Sequence, residues 1–175
     1  MIKINSKNLL IKELNVSDVT KKYLNWLNDK NINQFLEVRH SKQNISSCKS
    51  YIKKMQKSKK DYLFGIFLKK ELTHIGNIKI TISHPREKIA DIGILIGDKN
   101  FQGKGYATES IKTITKFAFN DLKIKRIQAG FYELNYSGIK SFLNSGFKID
   151  GYLKSFWIYK KKRIGRILAS IINDK

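Results

Sequence analysis

Two glycines separated by one residue, Gly103 and Gly105, stand between a strand-like run and a helical pattern. The run Ile89–Ile96 is apolar and ends in turn residues, and apolar residues then recur every three or four positions from Ala107 to Leu122. Glycine allows the backbone to adopt positive φ and to approach a ligand closely. The first amides of a helix lack helical acceptors and lie at the positive end of the helix dipole. The sequence therefore predicts a phosphate-binding turn at this point.

The motifs that the turn fails to match narrow the kind of phosphate it could bind. Gly103-x-Gly105-x-x-Thr108 lacks the third glycine of the dinucleotide fingerprint G-x-G-x-x-G, and it does not fall in an N-terminal βαβ unit. The P-loop sequence of nucleotide-binding proteins is also absent. Taken alone, the turn could also be an ordinary strand-to-helix connection that contains glycine.

Length and composition limit the class of protein. We expect residues 1–175 to form a single domain, since this length supports a buried core. No apolar run approaches the roughly 18 residues of a membrane span, and the N-terminus lacks the apolar segment of a secretory signal. The single cysteine, Cys48, cannot form an internal disulfide, so we expect a cytoplasmic protein. One cysteine and three scattered histidines predict no metal site.

The formal net charge of +21 has two interpretations. Such a charge would attract a nucleic acid or an acidic membrane surface. However, only five of the 35 basic residues are arginine, the residue best suited to reading bases and phosphates. The lysines are spread through every segment, so the sequence favours a lysine-rich composition over a specific nucleic-acid or membrane surface. The positive field would still attract anionic ligands.

The order of predicted elements indicates a mixed α/β protein. A first strand at Leu9–Leu14 precedes two helices, three strands follow up to Ile96, and the helix behind the glycines comes next. A strand at Arg126–Tyr132, a short helix and two more strands complete the order. Short loops between the three successive strands predict an antiparallel meander. We therefore expect one central, mostly antiparallel sheet of about seven strands with helices on both faces.

Two motifs in this element order resemble the GNAT superfamily of N-acetyltransferases. Gln102-x-x-Gly105-x-Ala107 is similar to the pyrophosphate loop of that family. Asn135-Tyr136-Ser137-Gly138, followed by Gly146-Phe147, resembles the segment after the family's fifth strand. The resemblance extends from Leu9 to Ile171 and is greatest for the branch of the ribosomal-protein N-terminal alanine acetyltransferases. It implies the GNAT fold, with the sheet splayed at the CoA site.

The resemblance also implies direct transfer of an acetyl group from acetyl-CoA to a primary amine, without a metal. CoA would lie in a V-shaped gap between Ile89–Ile96 and Arg126–Tyr132, opened by a bulge near Gly97. Amides of the loop would hold the pyrophosphate, and the backbone of Leu95 and Ile96 would pair with the pantetheine and polarise the thioester carbonyl. The implied cofactor-binding residues are Leu95, Ile96, Gln102, Gly103, Lys104, Gly105, Tyr106, Ala107, Asn135 and Ser137.

The amine must lose a proton before it attacks, so a base is needed, either directly or through water. Asp91 lies fourteen residues before Gly105, a spacing that resembles that of the base glutamate in the histone acetyltransferase branch. The alternative is a solvent-facing or strand-paired aspartate without a catalytic role. The lesser candidates are Glu37, Glu133, His74 and His84.

One position departs from the family pattern. Many family members carry a tyrosine five residues before the phenylalanine of Gly-Phe, and its hydroxyl protonates the leaving thiolate. The corresponding residue here is Phe142, which has no proton to give. Tyr136, Tyr132 or water would have to take this role, so the general acid stays open.

The acceptor is the least constrained part of the prediction. Aromatic and hydrogen-bonding residues from Trp26 to His40 and from Phe156 to Tyr159 favour a small amine, such as an amino sugar on a nucleotide carrier. Trp26 and Phe35 could equally be core residues. One alternative acceptor is the N-terminal alanine or serine of a protein such as a ribosomal protein. A non-catalytic CoA- or nucleic-acid-binding module is a third possibility, and a homodimer is also compatible with the sequence.

Overall fold

A single sheet of eight strands runs through the computed structural model, which describes residues 1–173. The strands are β1 Lys3–Asn5, β2 Leu9–Glu13, β3 Asp61–Leu68, β4 His74–His84, β5 Ile89–Ile96, β6 Arg126–Tyr132, β7 Lys148–Tyr159 and β8 Lys162–Ile172. The helices are α1 Lys21–Asn28, α2 Ile45–Lys57, α3 Tyr106–Asn120 and α4 Tyr136–Leu143. Within the described part of the chain, no helix combines the length and the apolar character needed to cross a membrane.

The strands lie side by side in the order β1-β2-β3-β4-β5-β6-β8-β7. Every neighbouring pair is antiparallel except β5 and β6, which are joined through α3 and run parallel. The mixed α/β class and the mostly antiparallel sheet are thus confirmed, and β3, β4 and β5 form the predicted meander. The sheet has one strand more than expected, because the short β1 pairs with β2 opposite Ile11.

The parallel pair is short, and this shapes the middle of the sheet. β5 and β6 pair only at Ile89 with Arg126, Ala90 with Ile127 and Asp91 with Gln128. β5 continues to Ile96 without β6 beside it, so a wedge-shaped gap opens toward its end.

The predicted bulge near Gly97 lies just past the end of β5. There the amides of Gly97 and Asp98 both donate to the Ile75 carbonyl, at 2.9 and 3.2 Å, so two residues lie opposite one. Within the strands, β5 keeps a regular register with β4 up to Ile96, and the register shift between them is near Ile82. β6 instead pairs with β8 along its whole length, from Arg126 to Tyr132. The strands part because β6 follows β8 while β5 follows β4.

One face of the sheet is covered by α3. Ile111, Ile114 and Ala118 of this helix recur at helical spacing and are fully buried against Phe64 and Ile80 of the sheet. This apolar stripe fixes the helix on the sheet and places its first turn beside the open end of the β5–β6 gap.

The opposite face is covered by α1 and α2, because neighbouring side chains of a strand point to opposite faces. Trp26, Cys48 and Ile52 pack there against Phe67 in a second, smaller core. Trp26 also lies edge-on to His74 with ring centroids 5.1 Å apart, so it is a core residue. Helices on both faces were predicted and are confirmed.

Phe142 is part of the core on the α3 face, since its ring is 2% exposed and lies 4.9 Å from those of Phe131 and Phe147. We expect Phe142→Ala to reduce the free energy of unfolding by about 3–5 kcal/mol, through lost burial and the cavity left behind. Leu143→Ala is the matched control on the same helix, because Leu143 is 41% exposed. Chemical denaturation would measure both, and equal losses would contradict the placement of Phe142 in the core.

Candidate functional site

The turn between β5 and α3 adopts the backbone conformation that its glycines permit. Gly103 and Gly105 have φ of 72° and 85°, in the left-handed region where other residues are disfavoured. A β-carbon at either position would have no neighbour within 4 Å, so the space in front of the turn is open. Gly105 is also the residue that precedes the first helical position of α3.

The same turn presents backbone donors to this open space. The amide of Glu109 donates to the Gly105 carbonyl at 3.0 Å, which starts the hydrogen-bond ladder of the helix. The amides of residues 105–108 precede that first bond and lie at the positive end of a helix of fifteen residues. An open space lined by such donors suits a phosphate group.

A cavity of about 300 Å³ lies beside the turn, in the gap where β5 and β6 have parted. Seven of the ten predicted cofactor-binding residues line it, namely Leu95, Ile96, Gln102, Gly103, Ala107, Asn135 and Ser137. Lys104, Gly105 and Tyr106 are in the adjoining turn and first helical residue but do not line this cavity. The structure therefore brings the predicted set together around one gap.

Two amide side chains fix the edges of this gap. Gln102 donates from Nε2 to the Ile96 carbonyl at 2.8 Å and so ties the turn to the end of β5. Asn135 accepts the amide of Gly138 at 3.2 Å and caps α4. Both residues hold backbone in place, and the Ile96 carbonyl already has one partner.

Hydrogen-bond alternation along β5 decides which peptide groups face the gap. The Gly97 amide donates to the Ile75 carbonyl of β4 at 2.9 Å, in line with the regular β4–β5 pairing. Peptide groups of an antiparallel strand point alternately to its two neighbours, so those of Leu95 point toward β4. The peptide groups of Ile94 and Ile96 therefore face the gap. The sequence did not identify Ile94, because this alternation depends on the register.

A second and larger cavity, of about 780 Å³, lies between β5 and the α1–α2 layer. Leu36, Ile94 and Leu95 line both cavities, so the two meet at the end of β5. Asp91 and Glu37 also line the larger cavity, with Asp91 half-buried and Glu37 exposed. Asp91 and Glu37, two of the residues predicted to be catalytic, thus share one cavity.

Asp91 lies at the point where β5 and β6 separate. It is paired with Thr81 on β4 and with Gln128 on β6, as the last rung of the parallel pair. The side-chain amide of Gln128 donates from Nε2 to Asp91 Oδ1 at 3.0 Å and fixes the orientation of the carboxylate. Asp91 is therefore both strand-paired and cavity-lining. Gln128 was missed because no local pattern in the sequence reveals which residue faces Asp91.

The tyrosines considered as general acids lie elsewhere. Tyr136 is 73% exposed at the start of α4 and lines neither cavity. Tyr132 is buried, its hydroxyl accepts a hydrogen bond from Arg39 at 2.7 Å, and its ring stacks on Trp157 with centroids 4.8 Å apart. The described structure therefore brings neither hydroxyl into the wall of the larger cavity.

The lesser base candidates have other surroundings as well. Glu133 accepts hydrogen bonds from the Gly165 amide and the Tyr152 hydroxyl, each at 2.7 Å, and these bonds lower the pKa of its carboxyl. Burial lowers the pKa of His74, whose ring stacks on Phe67. His84 is exposed at the end of β4. Within residues 1–173, no three His, Cys, Asp or Glu side chains are grouped closely enough to hold a metal ion.

The aromatic residues predicted to line the acceptor site pack mainly against one another. Phe35 lies with its ring centroid 5.6 Å from those of Tyr132 and Tyr159, and the Tyr159 hydroxyl donates to Gln34 at 2.9 Å. Phe35 and Gln34 line the smaller cavity. Tyr159 of β7 thus packs on the two residues Gln34 and Phe35 that line the smaller cavity, and the larger cavity has different walls.

A half-buried ion pair lies beside the larger cavity. Lys79 Nζ and Asp61 Oδ1 are 2.9 Å apart, and the hydroxyls of Thr81 and Ser58 also donate to the Asp61 carboxylate. Burial opposes ionisation of Asp61, but these three donors outweigh it and lower the pKa of the carboxyl to about 2. The only lysine in the cavity wall formed by the described residues is therefore neutralised by its partner.

Comparison with known proteins identifies the architecture that surrounds these two cavities. The sequence profile described as acetyltransferase (GNAT) domain matches residues 8–148. The chain belongs to the GNAT acetyltransferase family. The resemblance carried by the glycine turn and by the Asn135 segment is thus confirmed.

The individual GNAT proteins that this chain resembles have low sequence identity to it. The probable N-acetyltransferase YjcK of Bacillus subtilis is 31% identical over 102 residues, which cover 58% of this chain and 55% of the relative. Among solved structures, ribosomal-protein-S5-alanine acetyltransferase from Vibrio fischeri is 20% identical, with a TM-score of 0.86 over 100% of this chain and 98% of its own. Spermidine N-acetyltransferase from Vibrio cholerae, solved with CoA and spermine, is 18% identical, with a TM-score of 0.85 over 97% and 98%. At these identities the structural matches establish the GNAT fold alone.

The lowered pKa of Asp61 predicts a measurable part of the acid sensitivity of the fold. Folding favours the ionised carboxylate, so this contribution, about 2 kcal/mol, is complete above about pH 4 and is lost as the pH falls through about 2. We expect Asp61→Asn to be less stable at neutral pH and to lose less stability between pH 4 and 2. Urea denaturation across this range would measure it, with the exposed Asp121→Asn as control. Parallel pH profiles for wild type and Asp61→Asn would contradict the prediction.

Proposed function

We propose that this protein transfers the acetyl group of acetyl-CoA to the primary amine of a small molecule. The observation that carries this proposal is the meeting of the two cavities at Leu36, Ile94 and Leu95. One cavity adjoins a turn built for an anion, and the other contains two carboxylates that could receive an amine. A thioester and an amine held in these cavities would meet at the end of β5.

The smaller cavity would hold the cofactor along β5. The amides from Gly103 to Ala107 would bind the pyrophosphate, and the pantetheine would lie in the gap that β6 leaves open. The Ile94 amide, which faces this gap, would donate to the thioester carbonyl and stabilise the oxyanion formed when the amine attacks. Asn135 would contact the CoA arm, and Ser137 would lie beside Asn135. Gln102 would keep the turn attached to β5.

Asp91 would help to remove the proton from the attacking amine. Ile94 is three positions after Asp91 on the extended strand, so their backbones are roughly 10 Å apart. This distance exceeds a direct hydrogen bond, so Asp91 would accept the proton through water in the larger cavity. Glu37, at the exposed part of the same wall, is the second carboxylate available for this role. The tyrosines described in that wall, Tyr23 and Tyr51, belong to α1 and α2 and not to β5, so water is the simplest proton source for the thiolate.

A small-molecule acceptor agrees with a cavity of about 780 Å³. The more specific prediction of a nucleotide-linked amino sugar receives little support from this wall, since its lysine is already paired with Asp61. The N-terminus of a protein remains the alternative acceptor, and a module that binds CoA without catalysis is the alternative of another class. Turnover of amines by purified protein separates the last of these from both enzymes.

Acetyl-CoA should stabilise the protein against thermal unfolding. At a hundredfold excess over Kd, linkage gives ~2.7 kcal/mol, which corresponds to several degrees in Tm. Gly105→Glu should abolish this shift, because a carboxylate would stand in the space proposed for the pyrophosphate. Gly151→Glu is the matched control, since Gly151 also has no neighbour within 4 Å of an added β-carbon but lies on β7. If acetyl-CoA shifts neither wild type nor control, the cofactor assignment is wrong.

Asp91→Asn should lower kcat/KM by roughly 100-fold while leaving the acetyl-CoA thermal shift unchanged. Steady-state kinetics and thermal-shift assays would measure these two quantities, with Asp121→Asn as the control for loss of a carboxylate. Wild-type turnover in Asp91→Asn would transfer the role to Glu37, whose Gln variant is the next to measure.

A further inference from the structure

We infer that the acceptor is a monoamine attached to an apolar, ring-sized body. This inference rests on the proposed function and specifies its second substrate. It is drawn from the wall of the larger cavity, from the charges in that wall and from the place where the wall meets the cofactor gap.

The wall of the larger cavity is mostly hydrocarbon. Its apolar part comprises Tyr23, Leu27, Leu36, Val38, Tyr51 and Leu63, together with side chains of β5. The volume of about 780 Å³ exceeds what a short alkylamine could fill. An apolar body would exclude water from these side chains, and that burial would provide most of the binding free energy.

The charges of the wall favour a single cationic group on the acceptor. Among the described residues that line the cavity, the ionised ones are Glu37, Lys79 and Asp91, and Lys79 is paired with Asp61 at 2.9 Å. The cavity is therefore locally acidic in a chain of net charge +21. It offers an unpaired cation to neither a phosphate nor a diphosphate, but it offers carboxylates to an ammonium.

Several ammonium groups would fit this cavity less well than one. Glu37 could pair with a second ammonium only at the exposed part of the wall, so the further charges of a polyamine would have to leave water for the wall of Leu27, Leu63 and Tyr51. An unpaired charge in such surroundings is costly. A monoamine places its nitrogen at the junction beside Ile94 and extends only hydrocarbon toward α1 and α2.

The test is an assay of thiol release from acetyl-CoA with five acceptors at equal concentration. Tryptamine is a primary amine with an apolar ring system, and ethanolamine is a primary amine without one. Spermidine, a dTDP-linked 4-amino sugar and an alanine-starting peptide represent the competing classes. We expect kcat/KM for tryptamine to exceed that for each of the others by about tenfold or more.

A variant that fills the cavity tests the location of the body. Val38 is half-buried in the cavity wall, in the short 3-10 turn Glu37–His40. Val38→Trp should lower kcat/KM for tryptamine by about tenfold or more, with the acetyl-CoA thermal shift kept. Ile45→Trp, at a 43% exposed position of α2 that lines neither cavity, is the control and should leave turnover of tryptamine unchanged.

The outcomes separate this inference from the proposed function. If spermidine or the sugar nucleotide is acetylated faster than tryptamine, the inference is wrong and the proposed function stands. If the peptide is acetylated fastest, both the inference and the small-molecule acceptor are wrong. Unchanged tryptamine kinetics in Val38→Trp would likewise overturn the assignment of the body to this cavity. If acetyl-CoA binds but none of the five amines is acetylated, both are overturned.

Discussion

The early separation of β5 and β6 is the constraint on which the rest of the structure depends. If β5 and β6 were paired along their whole length, no room would be left between them for a ligand. Their pairing instead stops at Asp91 and Gln128. Beyond that rung, β5 stays paired with β4 and β6 stays paired with β8, so the gap does not disturb the register of either pair. The gap also exposes the peptide groups of Ile94 and Ile96. A continuous sheet would have used these groups internally, and here they face a ligand site, although the Ile96 carbonyl already accepts a hydrogen bond from Gln102.

The rung that ends the pairing also links the gap to the cavity on the sheet face. Gln128 holds Asp91 from the β6 side, and Thr81 lies opposite Asp91 on β4. Because side chains alternate along a strand, Asp91, Gly93 and Leu95 share the face that α1 and α2 cover. The same strand thus presents peptide groups to one cavity and side chains to the other, and this is why the cavities meet on β5.

Local patterns in the sequence were sufficient for the elements and for the turn. The spacing of Ile111, Ile114 and Ala118 predicts α3, and the two glycines predict the conformation that they adopt. The family motifs extended this to the set of residues around the gap, most of which the structure brings together. Features that depend on register could not be predicted in this way, since the sequence does not state which residues of two strands face each other. The contact of Gln128 with Asp91, the gap-facing backbone of Ile94 and the pairing of Lys79 with Asp61 all belong to this kind.

The limited contact between the two cavities has a kinetic consequence. Among the described residues, only Leu36, Ile94 and Leu95 belong to both walls, so each cavity is bounded largely by residues that the other does not use. A molecule bound in one would leave the other accessible, and both could be filled at once. This is the condition for a ternary complex in which either substrate binds first, with no covalent enzyme intermediate. The positive surface would concentrate the anionic cofactor around the protein, while the locally acidic cavity would favour the amine only at short range, so ionic strength would affect the capture of the two substrates differently.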